Sequence, residues 1–281
     1  MSNERAALTL FNGRAGDHND RAMVGAPQIS AELSRRIGAA AETVGFPQSP
    51  LNADWRVELD AALPELARMA DRYEQIFASK RVPITALSRC AVAIATLPVV
   101  ARHHPDAVVV WFDAHADLNT PESTLSGYLG GLALSGAAGM WETGLGGDLA
   151  LDNIVLGGVR DPDAFEQKLI DEGVVRLARV GPDLLTELQA AVGDRPVYFH
   201  LDCDVLEPGV VPTDYSVPGG LSLDDLHEVA LLLAHNTVVG VEIGEYEATF
   251  ASGEPGSPTA LIDALMPLID TAFSIQPFAA Y

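Results

Sequence analysis

Two cysteines, Cys90 and Cys203, are the only thiols in 281 residues. That excludes a disulfide framework in a chain of this size, and a reducing cytoplasm is the expected compartment. Positive charge is scarce as well: 17 Lys and Arg against 39 Asp and Glu leave a net charge of −22. A phosphate backbone or an anionic membrane surface would repel such a chain, so neither nucleic acid nor membrane is expected as a partner. Long apolar runs are missing too. The longest, such as Ala107 to Phe112, are too short to span a bilayer. No basic cluster, apolar stretch and cleavage site combine near the start, so no secretory signal is expected. No repeat, coiled coil or Pro/Gly/Ser linker interrupts the chain, which predicts one domain over residues 1–281 with a substantial core.

What is present is an alternation of short β-branched or aromatic runs with longer amphipathic stretches. That is the pattern of a parallel sheet covered by helices, an α/β fold. Strands are predicted over Leu8–Phe11, Pro83–Ala86, Val108–Asp113, Ile154–Gly157, Val197–Asp202 and Val238–Ile243. Helices are predicted over Ile29–Ala41, Trp55–Phe77, Ala91–Arg102, Asp163–Glu172, Leu223–Ala234 and Thr259–Phe273. The stretch Asn119 to Gly147 is rich in Gly, Ser and Leu, yet no Lys-Ser/Thr follows its glycines, so it is no phosphate loop. A long loop after a strand end usually carries function.

The sharpest chemical signal is Trp111-Phe-Asp-Ala-His-Ala-Asp117, an apolar strand ending in Asp113, His115 and Asp117. At strand spacing these three would project from one side. A lone Asp-x-His is usually a capped turn; three ligand-type residues after a buried strand favour a metal. The second signal is Tyr198-Phe-His-Leu-Asp-Cys-Asp204, where Asp202 and Asp204 end another apolar strand. Carboxylates so close repel unless a cation or protons lie between them. Four aspartates and one histidine are mostly hard oxygen donors, suited to Mn²⁺ or similar ions. Two ions about 3.5–4 Å apart sharing carboxylates would lower the pKa of a water between them.

These motifs, in this order, resemble those of the ureohydrolases (arginase, agmatinase, formiminoglutamase and relatives) from about Pro83 to Glu245. The resemblance implies a three-layer α/β/α sandwich with a mostly parallel central sheet and two Mn²⁺ ions. It implies Asp113 and Asp202 as bridging ligands, Asp117 completing the first ion's shell, and His115 with Asp204 completing the second's. Asp117 would also handle the proton of the attacking water, and Glu245, in Glu242-Ile-Gly-Glu245, would lie under the guanidinium. Alone, Glu245 reads equally well as a solvated loop acid. Asn119 and Ser126 fall where arginases contact the α-carboxylate, and Asp163 and Glu166 where they read the α-amino group. Taken singly, Asp163 and Glu166 are also ordinary first-turn helix residues. As a set these residues argue for an intact amino-acid head, and so against agmatine.

Two positions depart from the family pattern. Cys90, in Leu87-Ser-Arg-Cys90-Ala91, stands where the family has a metal-binding histidine. A buried apolar cysteine is the plain reading; a thiolate ligand, favoured where a helix opens, is the sharper one and is the expectation adopted here. Gly130 stands where arginases carry a proton-shuttling histidine, and Tyr128 replaces a polar residue near the carboxylate. Cys203 is expected in the core and His200 as a hydrogen-bonded neighbour of the site. Losing a general acid typically costs 10²–10⁴-fold, and a less basic substrate suffers less. The pattern resembles the hydroxyarginine-hydrolysing branch associated with the biosynthesis of the antibiotic cycloserine. The expected activity is therefore cleavage of Nω-hydroxy-L-arginine to ornithine and hydroxyurea. A conventional arginase and a catalytically silent binding protein of the same fold are the alternatives. The expected partner is a small guanidino amino acid, with the oligomeric state open between monomer and trimer.

Overall fold

Residues 5–273 are described by the structure, a computed structural model. The apolar runs form β1 (Ala6–Phe11), β2 (Glu42–Val44), β3 (Val82–Ala86), β4 (Val108–Phe112), β5 (Ile154–Gly157), β6 (Arg176–Ala178), β7 (Val197–Asp202) and β8 (Val238–Gly244). All lie in one sheet in the order β2-β1-β3-β8-β7-β4-β5-β6. Every adjacent pair is parallel. Strands such as Val108–Phe112 are buried on both faces, so they read as continuous apolar runs rather than alternating ones.

Helices cover both faces, giving three layers. One face packs Ile29 and Leu33 of α1 (Arg21–Ile37), Leu188 of α6 (Leu184–Val192), Leu226 of α7 (Leu223–Leu233) and Leu265 of α8 (Thr259–Phe273). The other packs Leu66 and Tyr73 of α2 (Trp55–Ala78), Leu97 of α3 (Ala93–His103) and Leu134 of α4 (Ala133–Ala137). Leu169 and Ile170 of α5 (Ala164–Asp171) lean against that second cluster. Cys203 is fully buried in the first, as expected of a core residue.

The differences from the predicted elements have physical causes. The two additional strands, β2 and β6, hold three residues each and lie at the sheet's edges, where little periodicity can register. Helix α1 begins at Arg21, ahead of Pro27, and buries Ala22, Met23 and Ala26 before the predicted start. It ends at Gly38, whose left-handed backbone (φ 67°) stops the helix short of Ala41. Strand β4 ends at Phe112, one residue before Asp113.

Candidate metal centre

The strand order brings the carboxyl ends of β3, β8, β7 and β4 side by side in mid-sheet, and the site is built there. Asp113 and Asp202 follow residues paired in the ladder, Phe112 with Leu201. Each turns the chain in the same way. Asp113 Oδ1 accepts the main-chain N–H of His115 at 2.7 Å, and Asp202 Oδ1 accepts that of Asp204 at 2.7 Å. This bond to the backbone two residues on is what a short acidic side chain does at a turn. Strand alternation therefore does not aim Asp113, His115 and Asp117, contrary to the expectation. The strand has ended, the Asp113 turn redirects the chain, and Asp117 sits at a left-handed φ of 52°. The Asp117 carbonyl accepts N–H groups from Leu134 and Ser135, which fixes that residue to the start of α4.

The remaining contacts tie the donors to each other. Asp113 Oδ2 takes the Trp111 indole N–H at 3.2 Å. Asp204 Oδ1 takes the Ala114 N–H at 3.0 Å, while its Oδ2 lies 3.0 Å from His115 Nδ1. His115 Nδ1 is also 3.3 Å from Asp113 Oδ1. Three groups place their donor atoms within 4.8 Å of one another: Cys90, Asp113 and Asp117; Cys90, Asp202 and Glu245; Asp113, His115 and Asp204.

Burial raises the Asp117 and Asp202 carboxyls well above the usual range, and repulsion from neighbouring aspartates adds to it. Asp204 is pushed up to about 6 by burial and by Asp113. Asp113 is held low despite its burial, because His115 hydrogen-bonds it. His115, in turn, is raised far above an ordinary imidazole: burial opposes this, but Asp113 and Asp204 outweigh it. With all four buried carboxyls ionised, the one imidazolium leaves excess negative charge that no other side chain of the cluster neutralises. This donor set fits a pair of divalent cations.

Cys90 opens a single 3₁₀ turn (Cys90–Val92) ahead of α3. Its Sγ lies 3.1 Å from Asp202 Oδ2 and 3.1 Å from His200 Nε2. Burial and the surrounding carboxylates push its thiol well up, so one 3₁₀ turn does not deliver the thiolate expected of a helix start. Only a cation beside the sulfur would reverse that balance. His200 is a hydrogen-bonded neighbour, as expected. Its Nδ1 is 2.7 Å from Glu242 Oε1, and its ring stacks on Trp111 with centroids 3.5 Å apart.

Beside this acid cluster lies a second, paired one. Arg89 is fully buried; its Nε donates to Asp17 Oδ1 at 3.0 Å and its Nη1 to Glu245 Oε2 at 2.6 Å. The Cys90 N–H donates to Glu245 Oε1 at 2.8 Å. Burial pushes Glu245 up to about 7 even against Arg89. Glu245 thus reaches the cleft as expected, but the guanidinium already on it belongs to the protein.

All the expected site residues except Asp113 line one cleft of about 210 Å³. Asp113 lies behind them, fully buried. At the far end Asn119 Nδ2 donates to Asp163 Oδ2 at 2.8 Å, and Ser126 stands on the rim. Glu166 accepts the Leu118 and Asp163 N–H groups at 2.9 and 2.8 Å, so both its oxygens already bind main chain. Thr124, Asp161 and Tyr215 also line the cleft and were not anticipated. Nor were Arg89 and Asp17. A lone arginine inside the apolar run Ala86 to Ala95 was the available signal, since a buried guanidinium must have partners. Nothing in the sequence pointed to Asp17 as one.

The sequence model of the arginase family matches residues 26–265. An Nω-hydroxy-L-arginine amidinohydrolase of Streptomyces lavendulae is 38% identical over 266 residues, 94% of this chain and 97% of that protein. An arginase of Bacillus caldovelox is 30% identical over 188 residues, 61% of this chain and 63% of that one. The crystal structure of an arginase from Bacillus cereus, 23% identical, has the same fold, with a TM-score of 0.80 over 97% of this chain and 99% of that one. The extent of these matches, over a chain whose acids converge at the strand ends, establishes that it belongs to the arginase family and is an amidinohydrolase.

Proposed function

We propose that this chain hydrolyses Nω-hydroxy-L-arginine to ornithine and hydroxyurea with two Mn²⁺ ions. The carrying observation is the excess negative charge of Asp113, Asp117, Asp202 and Asp204, with one imidazole among them. Cys90, Asp113, Asp117 and Asp202 would hold the first ion, and Asp113, His115, Asp202 and Asp204 the second. Bound there, the pair supplies Lewis acidity and activates water for attack on the guanidino carbon. Asp117 takes the proton that the attacking water loses, and the departing side-chain nitrogen gains a proton as its C–N bond breaks. Asn119, Ser126, Asp163 and Glu166 receive the amino-acid head.

The choice of substrate rests on charge. Arg89 neutralises Glu245 at 2.6 Å, so that carboxylate has little to offer a cationic guanidinium. An N-hydroxyguanidine reacts from its neutral form and needs less there. The Streptomyces lavendulae relative, named for this substrate, supports the same choice. The acid cluster would equally serve a conventional arginase, and relatives carrying that name favour it as the second reading. No helix of the described residues is long and apolar enough to cross a membrane; from the two buried free cysteines we infer a cytoplasmic setting, and we read the chain as one domain. The test is a product assay on Mn-loaded protein offered hydroxyarginine, arginine, agmatine and formiminoglutamate side by side. Hydroxyurea formed in preference to urea supports the proposal; faster turnover of arginine replaces it with the second reading. Activity toward none of the four leaves a protein that only binds.

A further inference from the structure

Gly130 lines the cleft, and a Cβ added there would meet Tyr128 Cε1 at 2.4 Å and Cζ at 2.9 Å. The Tyr128 ring therefore occupies the space that any side chain at 130 would take. Aromatic neighbours hold it there: His18 stacks on it with centroids 4.7 Å apart, and Tyr215 lies 5.7 Å away. The hydroxyl at the ring's end is buried, yet among the described residues it has no hydrogen-bond partner. A buried phenol without a partner is costly, and because Tyr128 lines the cleft a bound ligand can pair it. Burial, then the nearby Glu245 carboxylate, raises its pKa, so it stays a neutral phenol that can both donate and accept.

The charges that bear on this hydroxyl are Glu245, Arg89 and, more weakly, Asp17, and Arg89 is joined to Glu245 at 2.6 Å and to Asp17 at 3.0 Å. This part of the cleft thus presents a neutral donor–acceptor beside a neutralised ion pair. A cationic guanidinium offers donors only. An N-hydroxyguanidine offers an N–OH group that donates and accepts, the complement of a phenol. We propose that Tyr128 is a specificity-determining substrate contact whose hydroxyl hydrogen-bonds the N-hydroxyl of the substrate. Gly130 is the residue that makes room for it. The inference rests on the hydroxyguanidine reading of the function and adds the residue that reads the extra hydroxyl.

The test compares wild type, Tyr128→Phe, Gly130→Ala and the double variant, each Mn-loaded and checked for metal content and thermal unfolding. Tyr128→Phe should keep its metal and lose roughly 10- to 100-fold in kcat/KM on hydroxyarginine, with much less change on arginine. Gly130→Ala should reproduce part of that selective loss by displacing the ring. The double variant should be no worse than the poorer single one, because both changes remove the same contact. An active wild type with unchanged hydroxyarginine kinetics in Tyr128→Phe overturns the Tyr128 contact alone. Equal losses on both substrates overturn it as well, since the hydroxyl would then not read the N–OH. A wild type inactive on hydroxyarginine overturns the functional reading, and this inference with it.

Discussion

Two buried clusters of carboxylates lie side by side at the ends of the same sheet and resolve their repulsion in opposite ways. Asp113, Asp117, Asp202 and Asp204 share one imidazole and remain in excess, so burial and mutual repulsion drive the Asp117, Asp202 and Asp204 carboxyls upward. Asp17 and Glu245 face Arg89, a permanent cation with no exposed surface, which also reaches Asp214 at 3.5 Å. Both clusters are similarly buried. What separates a site that calls for a cation from one that carries its own is the net charge left after the protein's own pairing.

The largest effect should come from removing a shared ligand of the first cluster. Asp202 touches Cys90 through one oxygen and turns the chain at Asp204 with the other. Asp202→Ala should lose bound Mn²⁺ and reduce turnover by more than about 100-fold, the upper range for losing even a supporting residue. Metal analysis that still finds two ions in an Asp202→Ala protein would break the comparison at its root.

The paired cluster should fail differently, through folding. Arg89→Met leaves Asp17 and Glu245 buried without their cation, a change expected to cost about 3–5 kcal/mol by urea denaturation. Combining it with Asp17→Asn and Glu245→Gln should recover much of that, because no buried charge is then left unpaired. A triple variant no more stable than Arg89→Met would mean that the guanidinium acts by packing and not by charge.

Cys90 sits between the clusters, its N–H on Glu245 and its sulfur on Asp202. Cys90→Ala should weaken the first ion by roughly 10- to 100-fold and leave the second nearly unchanged. Cys90→His should hold both. Equal weakening of the two ions in Cys90→Ala would remove the thiol from the ligand set.

Much of this was readable before the structure, and the limits of that reading follow the same division. Asp113, His115, Asp117, Asp202 and Asp204 announce themselves because each of their two motifs ends an apolar strand, and parallel strands gather their ends. The same regularity made six of the strands legible. Strands β2 and β6 were too short to carry a period, and Pro27 concealed the first turns of α1. The Arg89 cluster was hidden for another reason: Asp17, Arg89 and Glu245 are separated by 72 and 156 residues, and nothing local marks them as partners. The turn that aims His115 likewise depends on a side chain bonding its own backbone, which strand alternation does not describe.

One acid from each cluster also predicts how pH acts on protein stripped of divalent ions. Asp204 folds with its carboxyl raised from 3.8 to about 6, and Glu245 is raised from 4.5 to about 7. The folded state therefore holds protons that the unfolded chain releases. That contribution is complete below about pH 4 and is lost as pH rises through about 6 to 7. Asp113, the acid held low, loses its contribution only below its ordinary 3.8, outside this window. Thermal unfolding of chelator-treated protein should thus occur at higher temperature near about pH 5 than near about pH 8, and added Mn²⁺ should reverse the order. A metal-free protein that gains stability over this interval would show that the acids are compensated by the fold itself.

The smallest effect tests whether the support beneath the acids is structural alone. Tyr73 on α2 shares hydrogen bonds of 2.8 Å with Thr85 on β3 and with Tyr198 on β7. Tyr198 donates to Glu242 Oε2 at 2.7 Å, and Glu242 Oε1 holds the His200 ring whose other nitrogen faces the Cys90 sulfur. Each member is fully buried, so the chain of bonds ties α2 to the underside of the metal centre. Tyr73→Phe removes a single hydroxyl and leaves the Tyr198 bond to Glu242 in place. Both its bonds are lost and the buried Thr85 hydroxyl is left unpaired, so the expected cost is about 1–3 kcal/mol of stability. Metal content should not change, because the charge of the acid cluster is untouched. A loss of Mn²⁺ in Tyr73→Phe, with stability kept, would mean that the two clusters are coupled through His200 and that the division between them is not one of charge alone.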